Sequence, residues 1–283
     1  MRDAEYVWLN DELLPLDQAR VSVSDRGFQY GDGFFETLRA DDGRVQFLPE
    51  HLARLKASAL AFRVPFPEET PWEERLGQLL AANGLTRNPA RIKILLTRGL
   101  AEGLGLPRQG RPTLVIWAGK YEPPSPAEYE AGWPVAVFPE RRTTFVGRHK
   151  SLNYLFYLAA RQYALDQGAQ EAVVLEADGA VSEGAATSIV YCHRGKFWTP
   201  AGASALPGVT VAMLALGLSR RGIALKDIRT PLSRLQKAEG IWLANSLLGL
   251  MPVASLDGAA VPVSPHTGML QEALAAMTVT CLR

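Results

Sequence analysis

Short runs of alternating apolar and polar residues are interleaved along the chain with stretches in which apolar residues recur at helical spacing. Tyr6-Val7-Trp8-Leu9 reads as a strand ending in a turn at Asn10-Asp11. Phe34 to Arg39 alternates as a strand and turns at Asp41-Asp42-Gly43. Over residues 48–62, Pro49 stands near a helix start, and Leu52, Leu55 and Leu60 are expected to share one face. A second helix is predicted over 71–83, stopped by Asn83-Gly84, and strands over 90–97 and 112–118 follow. Tyr121-Glu122-Pro123-Pro124-Ser125-Pro126 reads as an extended linker, because three prolines in four positions argue against a helix.

Beyond the linker the pattern predicts strands at 135–138 and 172–176, with a helix over 152–166 between them. A hairpin turn at Asp178-Gly179 precedes strands near 186–191 and 196–198. Leu206-Pro207-Gly208 opens a helix running to about Arg221. Strands near 224–228, 240–244 and 252–255 and a helix at 266–276 complete the order. Hairpins mixed with helices argue for an α+β fold and against a doubly wound parallel sheet. The expected organisation is an N-terminal α+β domain over 1–119, a linker over 120–130 and a C-terminal α+β domain over 131–283 that carries Lys150.

Composition narrows the function. The 283 residues are 47% hydrophobic and 21% charged, which suits a chain that buries a sizeable core. A formal net charge of +1, with no basic stripe, gives no sign of nucleic-acid binding. Cys192 and Cys281 have no CxxC spacing, and His51, His149, His193 and His266 form no ligand pair, so neither a disulfide framework nor a metal site is expected. The start of the chain lacks the order of a signal peptide, and no apolar run approaches membrane-spanning length. A cytoplasmic location and no membrane partner are expected.

Three features could carry chemistry. Lys150 precedes a predicted helix in Arg148-His149-Lys150-Ser151-Leu152-Asn153-Tyr154-Leu155; taken alone it is an ordinary surface lysine. Glu183 is followed by Gly184-Ala185-Ala186-Thr187-Ser188-Ile189; it could equally sit in a solvated turn. Leu206-Pro207-Gly208-Val209-Thr210 leads into a helix, whose N-terminus suits a phosphate, or is simply a helix start.

Taken in order, these stretches together with Asp25–Arg39, His51-Leu52-Ala53-Arg54-Leu55 and Ala244–Val253 resemble the class IV aminotransferases, the pyridoxal 5'-phosphate (PLP) enzymes of fold type IV. The resemblance covers nearly the whole chain. It implies a two-domain fold like that of the D-amino acid aminotransferases, with PLP between the domains, a small-molecule amino substrate and a homodimer. It implies that Lys150 forms the Schiff base and moves the substrate's α-proton. It also implies that Glu183 faces the pyridine nitrogen, and that Arg54, Val209, Thr210 and Ser246 hold the phosphate.

Within the family, Thr37 and the Asn245-Ser246-Leu247 pattern resemble the aminodeoxychorismate lyases, with Thr37 implied as catalytic and Asn245 and Tyr30 as substrate-binding. The leading expectation is therefore conversion of 4-amino-4-deoxychorismate to 4-aminobenzoate and pyruvate. Glu102 stands near a position where the lyases carry arginine, and Ser188 replaces an asparagine; both depart from the lyase pattern. Arg98 resembles a carboxylate-binding arginine of the D-amino acid aminotransferases, so a transaminase acting on D-amino acids or (R)-amines is the alternative. A PLP-binding protein without turnover is the third possibility.

Overall fold

A computed structural model describes residues 5–108 and 110–280. The chain divides into two compact units, Met1–Pro123 with Lys150–Asn153, and Pro124–His149 with Tyr154–Arg283.

The first unit contains β1 (Tyr6–Leu9), β2 (Glu12–Pro15), α1 (Arg26–Tyr30), β3 (Gly33–Asp41), β4 (Arg44–Val45), α2 (Leu48–Ala61), α3 (Trp72–Ala82), β5 (Ala90–Leu100) and β6 (Arg111–Lys120). Among the described residues its strands form one antiparallel sheet in the order β2-β1-β6-β5-β3-β4. Alternation along β3 and β5 sends Phe34, Leu38, Ala40, Ile92, Ile94 and Leu96 into a core shared with Leu55 of α2 and Leu76, Leu79 and Leu80 of α3. The buried stripe of α2 is Leu48, His51, Leu55, Ser58 and Ala59. Leu60, expected on that face, is 63% exposed; five residues beyond Leu55 it has rotated well away from the stripe. Two polar residues occupy core positions of this helix.

The second unit contains α4 (Pro126–Ala131), β7 (Trp133–Arg141), α5 (Leu155–Asp166), β8 (Glu171–Leu175), β9 (Ala180–Gly184), β10 (Ser188–His193), β11 (Lys196–Pro200), α6 (Val209–Ser219), β12 (Leu225–Ile228), β13 (Thr230–Pro231), α7 (Leu232–Leu235), β14 (Gly240–Asn245), β15 (Gly249–Leu256), β16 (Ala259–Ala260) and α8 (Thr267–Thr280). The sheet runs β12-β11-β10-β14-β15-β7-β8-β9-β13, with β16 on β15. It is mixed, with parallel pairs β11/β12, β15/β7 and β7/β8. Helix α5 packs on β7 and β8, and α6 packs against α8.

Three local readings are corrected. The proline-rich segment ends in a helix, α4, capped by Ser125 and Glu128 in a reciprocal capping box with Pro126 in its first turn; proline is tolerated there because that N–H has no helical acceptor. Glu183 lies on a strand, β9, whose residues are all buried, and pairs with Val174. Helix α5 begins at Leu155, three residues later than expected. The preceding segment pairs instead with β3, through Phe35 N–H to Lys150 C=O (2.8 Å) and Leu152 N–H to Gly33 C=O (3.0 Å). That pairing groups Lys150 with the first unit, not with the C-terminal half. Gly33 makes it possible: a Cβ there would lie 2.6 Å from Leu96 O and 3.0 Å from Leu152 Cδ1. Cys281 lies outside the described residues.

Candidate active site

In the first unit, β3 separates two chemistries by its period of two. On the core side, Glu36 is 1% exposed and accepts from Arg54 Nε (2.8 Å) and Nη2 (2.6 Å) and pairs with His51 Nδ1 (2.7 Å). Burial pushes the Glu36 carboxyl up, but the bonds and charges of Arg54 and His51 outweigh it and hold the group down at about 2. Arg54 is thus fixed by a buried carboxylate.

On the opposite side of β3 lie Phe35 and Thr37. The Lys150 Nζ stands 4.6 Å from the centre of the Phe35 ring and the Lys93 Nζ 4.8 Å from it, both within cation–π range. Lys93, half-buried on β5 opposite Thr37, is shifted below the usual lysine range by burial and then by Arg91. The sequence reading missed Lys93, although strand alternation alone puts Arg91, Lys93 and Leu95 on the face of Phe35 and Thr37.

Arg98 has a different task from the one expected. It is 0% exposed, and its guanidinium spends its donors inside the protein: Nε and Nη2 on Asp32 (2.7 and 2.9 Å), Nη1 on the carbonyls of Arg63 and Pro107 (2.8 and 2.7 Å), and Nη2 also on Phe62 C=O (2.8 Å). An arginine has five N–H donors and all are engaged, so none is left for a substrate carboxylate. Arg26 joins from the other side, bonding Asp32 (2.9 Å) and the carbonyls of Gly103 and Gly105 (2.8 and 2.9 Å). Burial raises the Asp32 carboxyl, but Arg98 and Arg26 more than offset it and lower it. The two arginines staple the loop that follows β5. Glu102 is exposed on that loop, and Tyr30 is 54% exposed with the Arg26 guanidinium 5.0 Å from its ring centre.

In the second unit, Glu183 is 6% exposed. Its Oε1 accepts a hydrogen bond from the Tyr157 hydroxyl, and its Oε2 accepts from Leu206 N–H (3.1 Å). Tyr154 donates to Ala185 C=O (2.9 Å). The buried Glu171, raised by burial, accepts from the Ala172 and Ala186 N–H groups (2.8 and 3.2 Å) and so holds the turn after Glu183.

Leu206 leads to the N-terminus of α6, where Val209 and Thr210 are buried and no side chain caps the first turn. The residue at the cap is Gly208, where a Cβ would lie 2.4 Å from Ser188 Oγ. Ser246 is half-buried. Asn245 is taken up by its own turn: Oδ1 accepts from Leu247 and Leu248 N–H (3.0 and 2.8 Å), and Nδ2 donates to Ala186 C=O (3.1 Å). These bonds make it a turn-former that sets Ser246 in place.

The second unit therefore presents a buried, doubly anchored carboxylate joined through Leu206 to a helix N-terminus whose cap is a glycine. A ligand with a cationic ring N–H at one end and an anionic group at the other suits that donor set, and PLP has both.

A family model described as amino-transferase class IV matches residues 33–256. The chain belongs to the class IV aminotransferases. The cofactor of this family is PLP. The chain is 33% identical over 96% of its length to the branched-chain-amino-acid aminotransferase-like protein 1 of Arabidopsis thaliana, and spans half the length of that relative. It is 28% identical to a D-alanine aminotransferase of Listeria monocytogenes (90% of this chain, 89% of the relative) and 27% identical to an aminodeoxychorismate lyase of Bacillus subtilis (89% and 86%). Among solved structures, the branched-chain amino acid aminotransferase of Escherichia coli superposes with a TM-score of 0.86 at 27% identity, covering 97% of this chain and 95% of that one. Both the mixed α+β fold and the membership of fold type IV expected from sequence agree with these class IV relatives.

Among the described residues, no helix is long and apolar enough to cross a membrane.

Proposed function

We propose that the protein is an aminotransferase that exchanges the amino group of a small amino acid with a keto acid, using PLP bound by Lys150. The observation that carries this is Glu183, a buried carboxylate held by two donors at the foot of an uncapped helix. Glu183 keeps the pyridine nitrogen protonated. Val209 and Thr210 offer backbone N–H groups to the phosphate, with Ser246 beside them and Arg54 supplying positive charge. What joins Lys150 to this set is the family's chemistry, in which one cofactor needs both an amine and a carboxylate. Bound PLP supplies an electron sink for the pair left behind when the substrate's α-proton is removed.

Lys150 takes that proton as a neutral amine and returns one to a neighbouring carbon, a task a permanently charged arginine could not perform. Lys93, sharing the Phe35 ring with Lys150, is the cation this reading assigns to the substrate carboxylate in place of Arg98. The homodimer implied by the resemblance and the cytoplasmic location expected from the sequence belong to this proposal as well.

Transamination is favoured over the lyase reaction because Asn245, one of the two lyase-like features, is accounted for by its turn. Thr37, on the Phe35 side of β3, keeps the lyase as a second reading. One assay separates them. The holoenzyme is given D-alanine, L-valine or (R)-1-phenylethylamine, and separately 4-amino-4-deoxychorismate made in situ from chorismate. Transamination predicts spectral conversion of the cofactor to its pyridoxamine form by at least one amine, with no 4-aminobenzoate above the uncatalysed rate. Fluorescent 4-aminobenzoate without any such conversion overturns the proposal in favour of the lyase.

A further inference from the structure

Two of the groups that hold the Glu183 carboxylate are of unlike kind. Leu206 N–H is backbone and comes with the fold. The Tyr157 hydroxyl is a side chain, projected from α5 onto Oε1 across 26 residues of sequence. We propose that Tyr157 is a positioning residue for the proposed cofactor site: its O–H fixes the direction in which Glu183 presents its carboxylate and keeps that carboxylate a weaker base than the ring nitrogen it faces. This rests on the reading that Glu183 meets the pyridine nitrogen.

The surroundings of Tyr157 suit it to this task. Its ring is half-buried, tilted against Tyr154 (5.0 Å between centres) and edge-on to Phe156 (5.8 Å), so its orientation is set by packing. The Arg142 guanidinium stands 4.6 Å from the centre of the ring and 4.4 Å from that of Phe156. Burial, then the negative charge of Glu183 and the hydrogen bond to it, push the Tyr157 phenol far above its ordinary range, while Arg142 acts in the opposite sense. The phenol therefore keeps its proton and donates a hydrogen bond to the Glu183 carboxylate. Tyr154 does not duplicate it, because its own hydroxyl is spent on Ala185 C=O.

A hydrogen bond to the charged form of an acid stabilises that form and lowers its proton affinity. In a pair made of a carboxylate and a protonated ring nitrogen, the shared proton then stays on nitrogen. Without Tyr157 the carboxylate becomes the stronger base and draws the proton toward itself, which weakens the ring as an electron acceptor.

The test uses Tyr157→Phe, which keeps the ring and its packing and removes only the hydroxyl. Two quantities are read. In the cofactor-free enzyme, the carboxyl ¹³C titration of Glu183, assigned through Glu183→Gln, is expected to move its midpoint up by on the order of one pH unit. In the holoenzyme reconstituted with ring-¹⁵N PLP, the ¹⁵N resonance is expected to move toward that of an unprotonated pyridine. Turnover then falls roughly tenfold at unchanged KM. Fluorotyrosine at position 157, a stronger donor, is expected to move the ¹⁵N resonance the other way. An unmoved Glu183 midpoint overturns the action of Tyr157 on the carboxylate. A raised midpoint with an unmoved ¹⁵N resonance also overturns the proposal, and takes with it the facing of Glu183 to the ring nitrogen.

Discussion

Replacing Glu36 with glutamine keeps the shape of the side chain and removes its charge from between His51 and Arg54. The wild-type carboxyl sits at about 2, against an ordinary 4.5. At about 1.4 kcal/mol per pH unit, that depression corresponds to roughly 3 kcal/mol of folded-state stabilisation at neutral pH. The order of magnitude matches the cost of removing one partner from a buried ion pair. The sign follows from linkage. A depressed acid contributes its full share above the unfolded value near 4.5, and loses it as pH falls toward 2.

Native-state hydrogen exchange on peptides covering β3 and α2 reads this locally. In Glu36→Gln those peptides are expected to exchange roughly 300-fold faster than wild type at pH 7 after correction for intrinsic rates. The ratio is expected to shrink to about tenfold at pH 3. Equal exchange at pH 7, or a ratio that does not change between pH 7 and pH 3, would refute the account of Glu36 as the fixed counter-charge of Arg54.

Arg98→Met is expected to loosen the loop after β5, seen as faster proteolysis or exchange over residues 99–107, while leaving KM for amino substrates within about twofold, since no donor of Arg98 is left for substrate; a KM increase of about 10²-fold with an undisturbed loop would restore it as a carboxylate ligand. Asn245→Ala removes the acceptor that Asn245 Oδ1 gives the Leu247 and Leu248 N–H groups and should lower stability by about 1–3 kcal/mol in urea unfolding; a variant as stable as wild type but with altered substrate choice would contradict the turn role. Glu183→Gln should still bind PLP yet lose turnover by about 10²-fold or more; wild-type turnover would remove Glu183 from the mechanism.

Period-two and helical patterns were informative wherever packing follows them. The alternation of β3 and β5, the helices α2 and α3, and the order of the family's short motifs were all legible. What escaped reading depended on partners remote in sequence. Arg98 looks like a strand-end charge until the carbonyls of Phe62, Arg63 and Pro107 close around it. Strand β9 was hidden because Ser182, Glu183 and Gly184 break its apolar run, although every residue in it is buried. Lys150 appeared to head a helix, but its backbone pairs with a strand more than a hundred residues earlier. His51 carried the best unread sign, a titratable residue in the buried stripe of an otherwise ordinary amphipathic helix.

The attachment point of the cofactor is the most direct test of the whole account. The PLP-loaded enzyme is reduced with borohydride, digested and analysed by mass spectrometry. A pyridoxyl group is expected on the peptide containing Lys150, and none on that peptide in Lys150→Ala. A pyridoxyl group on Lys93 or any other lysine in place of Lys150, or a Lys150→Ala variant that keeps both the reducible adduct and activity, would contradict it.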